Sequence, residues 1–325
     1  MIDVSIIIVS WNVSEFLFAC LESLQRSQVE IVPPNQNIQH LSSRTTIEII
    51  VVDSASSDNT LEMLKAFPDI RVLSQLTNLG FAKCNNIGLK FARGRYLFLL
   101  NPDAEIVNDA IQVMVDYLDK HHSVGVLGPF LTNANGSLQI MPRIFPNLTV
   151  ILFETPSLEP YMSKKFLEYE CVVNPPENAQ IAVDWVLGAA MMARREVYDQ
   201  IGLLDEKYPM YAEEIDWCFR AKEHQWKVIC LGTAKVIHHG GKSSEKNPIV
   251  KKTYFWQSNI RYFQKYHRRF AFIVRVSIIL SYTHMLLIEI AKLLLGHNFK
   301  EHKQEIKTYM KGLAAVIMYP YRLEQ

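Results

Sequence analysis

Cysteine is scarce in this 325-residue chain, and the five present (Cys20, Cys84, Cys171, Cys218 and Cys230) are scattered without a CxxC pair. An odd, dispersed set builds neither a disulfide framework nor a zinc cluster, and it fits a reducing compartment. The first residues do not read as a secretory leader either. Asp3 comes almost at once, no basic region precedes the first apolar run, and that run is too short. The body is therefore expected in the cytosol. Net charge is nearly absent at +1, but the balance is uneven. From Lys242 onward there are fifteen Lys and Arg against five Asp and Glu, a net of +10, which leaves −9 on residues 1–241. A basic tail on an acidic body points to an anionic partner, a membrane surface or nucleic acid. No RNA- or DNA-binding signature is present, which argues against the second.

What is present is a chain 49% hydrophobic, enough for a full-sized core. Residues 4–9 (VSIIIV) form a continuous β-branched run, as expected of a strand buried on both faces of a parallel sheet. A helix with Phe16, Leu17, Leu21 and Leu24 on one face is expected from Ser14 to about Arg26. The Pro/Asn/Gln/Ser-rich stretch 33–44 reads as a surface loop. Strands follow at 47–52, 70–73 and 96–100, with helices after Asp58 and over 84–92. Strand and helix alternate at the spacing of βαβ units. The spacing predicts an α/β fold: a doubly wound, mostly parallel sheet with flanking helices.

Ligands of such sheets sit beyond the carboxyl ends of the strands. There the chain places Asn12, Asp53 and Asn101-Pro102-Asp103, either as turn formers and caps or as ligand contacts. A carboxylate exposed where a buried strand stops is well placed to hold Mg²⁺ or Mn²⁺ against a diphosphate. Further on, Glu213, Glu214 and Asp216 open a helix. Acids there complement the helix dipole, but three in four residues exceed what capping needs, and one of them suits a general base. His238-His239-Gly240-Gly241 closes an apolar strand at 235–237, a metal or phosphate contact if not a structural pair.

The pieces SIIIVSWN, IIVVDSASSDNT, NLGFAKCNNIGLKFARGRYLFLLNPD, DWVLGAAMM, MYAEEIDWCFRA and VIHHGG occur in that order over residues 4–244. As an ordered set they resemble the family 2 glycosyltransferases of GT-A fold. Within these, the resemblance is to the rhamnosyltransferase-type branch that builds bacterial surface polysaccharides. It implies a catalytic domain over 1–244 and an inverting transfer from a nucleotide-sugar donor to a glycan or lipid-linked acceptor, assisted by Mn²⁺ or Mg²⁺. Asp53 then matches the aspartate that contacts the nucleoside, with Ser10 and Asn12 lining the same pocket. Asn78, Gly80, Phe81 and Asn86 match the segment packed under the nucleotide, and Trp185 and Gly188 the segment near sugar and acceptor. Asp103 matches the last carboxylate of the DxD-type metal motif, and His238 the histidine that completes the metal site, with His239 adjacent. Glu213-Glu214 matches the acidic pair whose second member is the base.

Two departures stand out. Asn101 replaces the first carboxylate of the metal motif. Glu214 stands where Asp is usual, which moves the carboxylate by ~1.5 Å and keeps Glu213 and Asp216 open as bases. Among rivals, a sugar nucleotidyltransferase needs a Gly-rich phosphate loop after the first strand, where Trp11-Asn12-Val13-Ser14 stands instead. An inactive scaffold homologue is disfavoured because Asp103, Glu214 and His238 are all kept.

The region 245–325 reads as a helical, basic, amphipathic tail. Its longest apolar stretch, 276–288, is too short to cross ~30 Å of hydrocarbon. It is flanked by the basic-aromatic run RYFQKYHRRF (261–270) and by a second amphipathic helix over 301–323. Such helices suit a membrane interface, here the inner face of the plasma membrane. The alternatives are packing onto the catalytic domain or a homodimer.

Overall fold

The computed structural model describes residues 2–34, 36, 44–139, 141–142, 144–163, 166, 168–169, 171–172, 175–240, 248–295 and 299–320. Most of the 33–44 loop, and Gly241, lie outside the described residues. The chain divides into two compact units. One comprises 1–145, 171–206 and 213–243; the other comprises 146–170, 207–212 and 244–325. Two short pieces of the 1–244 region thus belong to the unit that holds the tail.

The first unit is an α/β sandwich. In chain order its elements begin with β1 (Val4–Ser10), α1 (Ser14–Arg26), β2 (Glu30–Ile31), β3 (Thr46–Asp53), α2 (Thr60–Leu64), β4 (Arg71–Ser74) and α3 (Phe81–Phe91). Then come β5 (Tyr96–Leu100), β6 (Ala104–Ile106), α4 (Ala110–Lys120) and β7 (Val124–Thr132). A two-stranded ribbon pairs β8 (Met141–Pro142) with β9 (Cys171–Val172). The unit closes with β10 (Gln180–Val183), β11 (Ala190–Arg194), α6 (Arg195–Ile201), α7 (Glu213–Glu223) and β12 (Lys227–His238); α5 belongs to the second unit. The main sheet runs β10-β12-β7-β11-β5-β1-β3-β2, with β4 on β3 and β6 on β12.

Strands β1, β3 and β5 pair in parallel and are buried along nearly their whole length, which is why they read as unbroken apolar runs. Helix α3 lies tight on β1: a Cβ on Gly88 would stand 2.6 Å from Ile7 Cγ2. Gly94 brings the turn into β5 against the β1 backbone, where a Cβ would lie 2.5 Å from the Ser5 nitrogen. The expected helix at 84–92 starts at Phe81 instead, because Gly80 at φ 79 makes the break. The short strand expected at 235–237 is the end of the twelve-residue β12, whose earlier residues pair with β7 and β10. Strand β11 runs antiparallel between β5 and β7, so the sheet is mixed.

The second unit is helical: α5 (Leu148–Phe153), α8 (Pro248–Tyr266), α9 (Arg268–Leu294) and α10 (Phe299–Met318). Trp256, Ile260, Phe263, Ala271, Val274, Ile278, Tyr282 and Val316 are buried in it. Gly312 lets α10 close on the Tyr282 ring, where a Cβ would come within 2.5 Å. Two of its buried polar side chains are well satisfied. Glu289 accepts from Lys292 (2.8 Å) and pairs with His302 (2.6 Å), and Ser258 Oγ donates to the Met210 carbonyl (2.8 Å). The uninterrupted apolar stretch 276–288 is by itself too short to cross a membrane. However, α9 is one unbroken helix of 27 residues, about 40 Å long, and by length and composition alone it is long and apolar enough to span. Its charged residues, Arg268, Arg269, Arg275, Glu289 and Lys292, lie toward the ends, so the helix is longer than its uncharged stretch.

Candidate active site

Strand order assembles the rim. Ser10 and Asp53, the last residues of β1 and β3, are register partners, and both are fully buried. Asp53 Oδ2 accepts from the Ser56 amide at 3.0 Å. Asp53 Oδ1 and Ser10 Oγ are buried without a hydrogen-bond partner among the described residues. A buried carboxylate oxygen without a donor is costly, and donor groups of a ligand would relieve that cost. Asn12 stands just past β1 in the left-handed conformation (φ 54) that Asn tolerates. Its Oδ1 accepts from the Ser57 amide at 2.7 Å and so orders the Ser56–Asp58 turn. Ser54 joins this wall to the next. Its hydroxyl bonds Asn78 Oδ1 (3.1 Å) and accepts from the Leu79 amide (3.0 Å), and Asn78 in turn holds the Gly80 amide (3.0 Å). Asn86, by contrast, is fully engaged inward: it holds the Leu204 main chain and Glu206, and so supports the wall from beneath.

Strand β5 ends at Leu100, in register with Ala190 of β11, and the Asn101 amide donates to the Ala189 carbonyl at 2.8 Å. Asp103 follows, buried, and faces the last residue of β12: Asp103 Oδ1 lies 3.5 Å from His238 Nε2. That nitrogen is buried without a hydrogen-bond partner. His239 points elsewhere, bonding Glu105 at 2.7 Å and packing against Phe16. Of the two adjacent histidines, His238 is therefore the one turned toward the Asp-bearing loop. Asp103 and His238 fit a divalent cation, one giving a hard oxygen and the other an imidazole nitrogen. Among the described residues no group of three or more His, Cys, Asp or Glu forms a ready-made cage. A cation here would draw its other ligands from the diphosphate and water.

The third wall is the start of α7. The chain enters it through Tyr211 and Ala212 at φ 71 and 63, conformations uncommon outside glycine. Glu213 and Glu214 are both buried, and each has a carboxylate oxygen without a partner. Burial pushes Glu214 up to about 7, although its own amide and that of Gly188 donate to it. Burial, and then the charge of Glu214, push Glu213 well above the usual carboxylate range. Gly188 sits directly over Glu214, and a Cβ there would lie 3.6 Å from Glu214 Cβ and 3.7 Å from the Phe81 ring. Asp216 differs: it is fully buried but paired with Arg220 at 3.0 Å, and Arg220 also ties down the Ile201 and Leu203 carbonyls. With its carboxylate committed to Arg220, Asp216 reads as structural. Trp185 spends its indole N–H on the Ile144 carbonyl (2.9 Å) and packs against the core.

The contacts thus connect Ser10, Asp53, Asn78, Gly80 and Phe81 to Gly188 and Glu214, and Ala189 to the Asn101–Asp103 loop and His238. Two supports escaped the sequence reading: Ser54, which bridges two walls, and Gln139, which bonds His238 Nδ1 at 3.0 Å. Ser54 lies inside a recognised segment. Nothing local marks Gln139, which is 99 positions from its partner.

The family description "Glycosyl transferase family 2" matches residues 5–185. An N-acetylglucosaminyl-diphospho-decaprenol L-rhamnosyltransferase of Mycobacterium tuberculosis is 24% identical over 220 residues, 64% of this chain and 71% of its own length. The low-salt glycan biosynthesis hexosyltransferase Agl10 of Haloferax volcanii is 27% identical over 210 residues, 63% of each chain. Among solved structures, the mannosyltransferase PcManGT of Pyrobaculum calidifontis, in complex with GDP-Man and Mn²⁺, has a TM-score of 0.55. It is 14% identical, and the match covers 99% of this chain and 88% of that one. GalNAc-T7 with UDP, GalNAc and Mn²⁺ has a TM-score of 0.52 at 15% identity, over 73% of this chain and 43% of that one. This chain therefore spans less than half of the second structure. Both likenesses bear on the fold, which is of the GT-A kind.

Proposed function

We propose an inverting sugar transfer for this chain, which belongs to glycosyl transferase family 2 and is a glycosyltransferase using a nucleotide-sugar donor. The observation that carries the reading is Glu214: a buried carboxyl with one oxygen unpartnered, held beside Gly188, which also abuts Phe81.

Asp53 and Ser10 would receive donor groups of the nucleoside, and the Asn78–Gly80 turn would shape the floor beneath it. Asp103 and His238 would hold a divalent cation, Mn²⁺ or Mg²⁺, which when bound neutralises charge on the departing diphosphate. Glu214 would take the proton from the acceptor hydroxyl as that oxygen attacks the anomeric carbon from the face opposite the diphosphate, in one displacement. A carboxyl raised to about 7 suits this role, because a base works best when its pKa lies near the working pH. The sugar is proposed to be rhamnose or another hexose, and the acceptor a glycan or lipid-linked glycan, in line with the rhamnosyltransferase and glycan-building hexosyltransferase among the relatives.

Residues 1–244 carry the transfer in this reading, and 245–325 attach the enzyme peripherally to the cytoplasmic face of the plasma membrane. In support, α9 exposes Ile273, Leu280, Leu287 and Leu294, seven residues apart, with Phe272 beside them. Clusters of exposed apolar side chains of this kind mark partner or membrane sites. The surrounding tail is strongly basic. The opposite side of α9 is packed against α8 and α10, so a lipid-facing stripe fits better than a fully lipid-surrounded helix.

The test is a donor panel: purified protein with Mn²⁺ or Mg²⁺ and dTDP-rhamnose, UDP-N-acetylglucosamine, UDP-glucose, UDP-galactose or GDP-mannose, with and without a lipid-diphosphate-linked acceptor. Acceptor-dependent release of nucleoside diphosphate from one donor, abolished by Glu214→Ala, is the expected result. Retention of anomeric configuration in the product, or full turnover by the variant, would overturn the mechanism.

A further inference from the structure

Gln139 lies just beyond β7, past the turn at Asn133–Ser137, and nothing in the transfer mechanism above uses it. Its side chain is nevertheless committed to one residue at two points. The Nε2 group donates to the main-chain carbonyl of His238 at 2.6 Å, and Oε1 lies 3.0 Å from His238 Nδ1. A further donation from Nε2 to Asn133 Oδ1 at 3.0 Å fixes the sense of the amide, since both acceptors are oxygens. Asn133 is itself oriented by its donation to Ser137 Oγ at 2.9 Å. With Nε2 so engaged, Oε1 must be the atom facing the imidazole, and it has no proton to give. The hydrogen in the 3.0 Å contact therefore belongs to His238 Nδ1.

A neutral imidazole carries one ring proton, so a proton on Nδ1 leaves Nε2 as a bare lone pair. That lone pair is buried, without a hydrogen-bond partner among the described residues, and lies 3.5 Å from Asp103 Oδ1. A lone pair and a carboxylate oxygen facing each other repel unless something positive lies between them. We propose that Gln139 is a positioning residue. By gripping His238 at both Nδ1 and the main-chain carbonyl, it holds the ring in the Nδ1–H tautomer, so that Nε2 and the Asp103 carboxylate together face a divalent cation. The cation part rests on the metal reading proposed above; the tautomer part stands on the hydrogen bonds alone. Such outer partners of a ligating histidine set both ring orientation and donor strength.

The tautomer is read directly from long-range ¹H–¹⁵N correlation spectra of the full chain with ¹⁵N-labelled histidine, at pH 8 and without metal, His238 being assigned through His238→Asn. The wild type shows a protonated Nδ1 and a bare Nε2, and Gln139→Met shifts His238 toward the Nε2–H form usual for an unconstrained imidazole. Gln139→Glu keeps an acceptor for Nδ1–H and retains the wild-type pattern. In parallel, the free Mn²⁺ signal in electron paramagnetic resonance measures uptake in the presence of a nucleoside diphosphate. Gln139→Met weakens it about 10- to 100-fold, and Gln139→Glu recovers most of the loss. A wild-type Nε2–H pattern, or Gln139→Glu behaving as Gln139→Met in both readouts, overturns the role of Gln139. A wild type with the expected tautomer that takes up no Mn²⁺ overturns the metal reading instead.

Discussion

The two units differ in what they leave exposed and unmet. In the α/β unit the apolar side chains of β1, β3 and β5 are almost wholly buried. Polar atoms at the strand ends and at the start of α7 are buried with them and lack hydrogen-bond partners among the described residues: Ser10 Oγ, Asp53 Oδ1, a carboxylate oxygen on each of Glu213 and Glu214, and His238 Nε2. In the helical unit the buried Glu289 and Ser258 are satisfied, although Gln264 Nε2 is buried without a hydrogen bond among the described residues, and Ile273, Leu280, Leu287 and Leu294 stand in solvent. Either deficit costs free energy in the isolated chain. In the proposed function the first would be relieved by a polar, charged ligand and the second by an apolar surface. The same comparison operates on a smaller scale within α7. Asp216 is buried and paired with Arg220, whereas Glu214, two residues earlier, is buried without a cation.

The largest effect expected from breaking this contrast is in turnover. Glu214→Gln keeps the shape of the site but removes the base, and kcat should fall about 10²- to 10⁴-fold while nucleotide affinity stays near that of the wild type. Equal loss in affinity and kcat would mean that Glu214 only shapes the pocket. Asp216→Ala should do the reverse. Stranding Arg220 should cost about 3–5 kcal/mol in denaturant-measured stability, with kcat per folded molecule retained. On the helical unit, Leu280→Glu with Leu287→Glu removes two exposed leucines at ~1.5 kcal/mol each, so binding to anionic vesicles should weaken on the order of a hundredfold. The melting temperature should hardly move, because both side chains are already in solvent. A large fall in melting temperature would show that the stripe is packed within the protein.

The smallest effect concerns pH. With Glu214 raised to about 7, the active carboxylate form is lost as pH falls through that value, and kcat should drop tenfold per unit below it. Stability carries the opposite sign. The folded state holds a proton that the unfolded chain, with its pKa near 4.5, has already released. Wild-type stability relative to Glu214→Gln should therefore decline as pH rises from about 4.5 to about 7. A difference independent of pH would contradict the raised value.

Much of this was legible without coordinates. The runs at 4–9, 47–52 and 96–100 are β-branched and aliphatic without alternation, and only a strand covered on both faces tolerates that. The parallel core and the positions of Asp53 and Asp103 at its rim follow from the sequence itself. The acidic start of α7 was equally plain, since charge spacing along a helix is a local property. Choices that depend on distant partners were not legible. Whether His238 or His239 faces Asp103 is decided by Glu105 and Phe16, which hold the second ring away. Whether Glu214 or Asp216 can act as a base depends on where Arg220 reaches. Gln139 shows no local sign of its role, because its hydrogen bonds are made by bringing the end of β12 beside the turn that follows β7. Sequence determined which groups stand at the strand ends, because periodicity and burial are properties of neighbours along the chain. Tertiary structure decided which of those groups are left unpaired, because pairing depends on residues brought together only by folding.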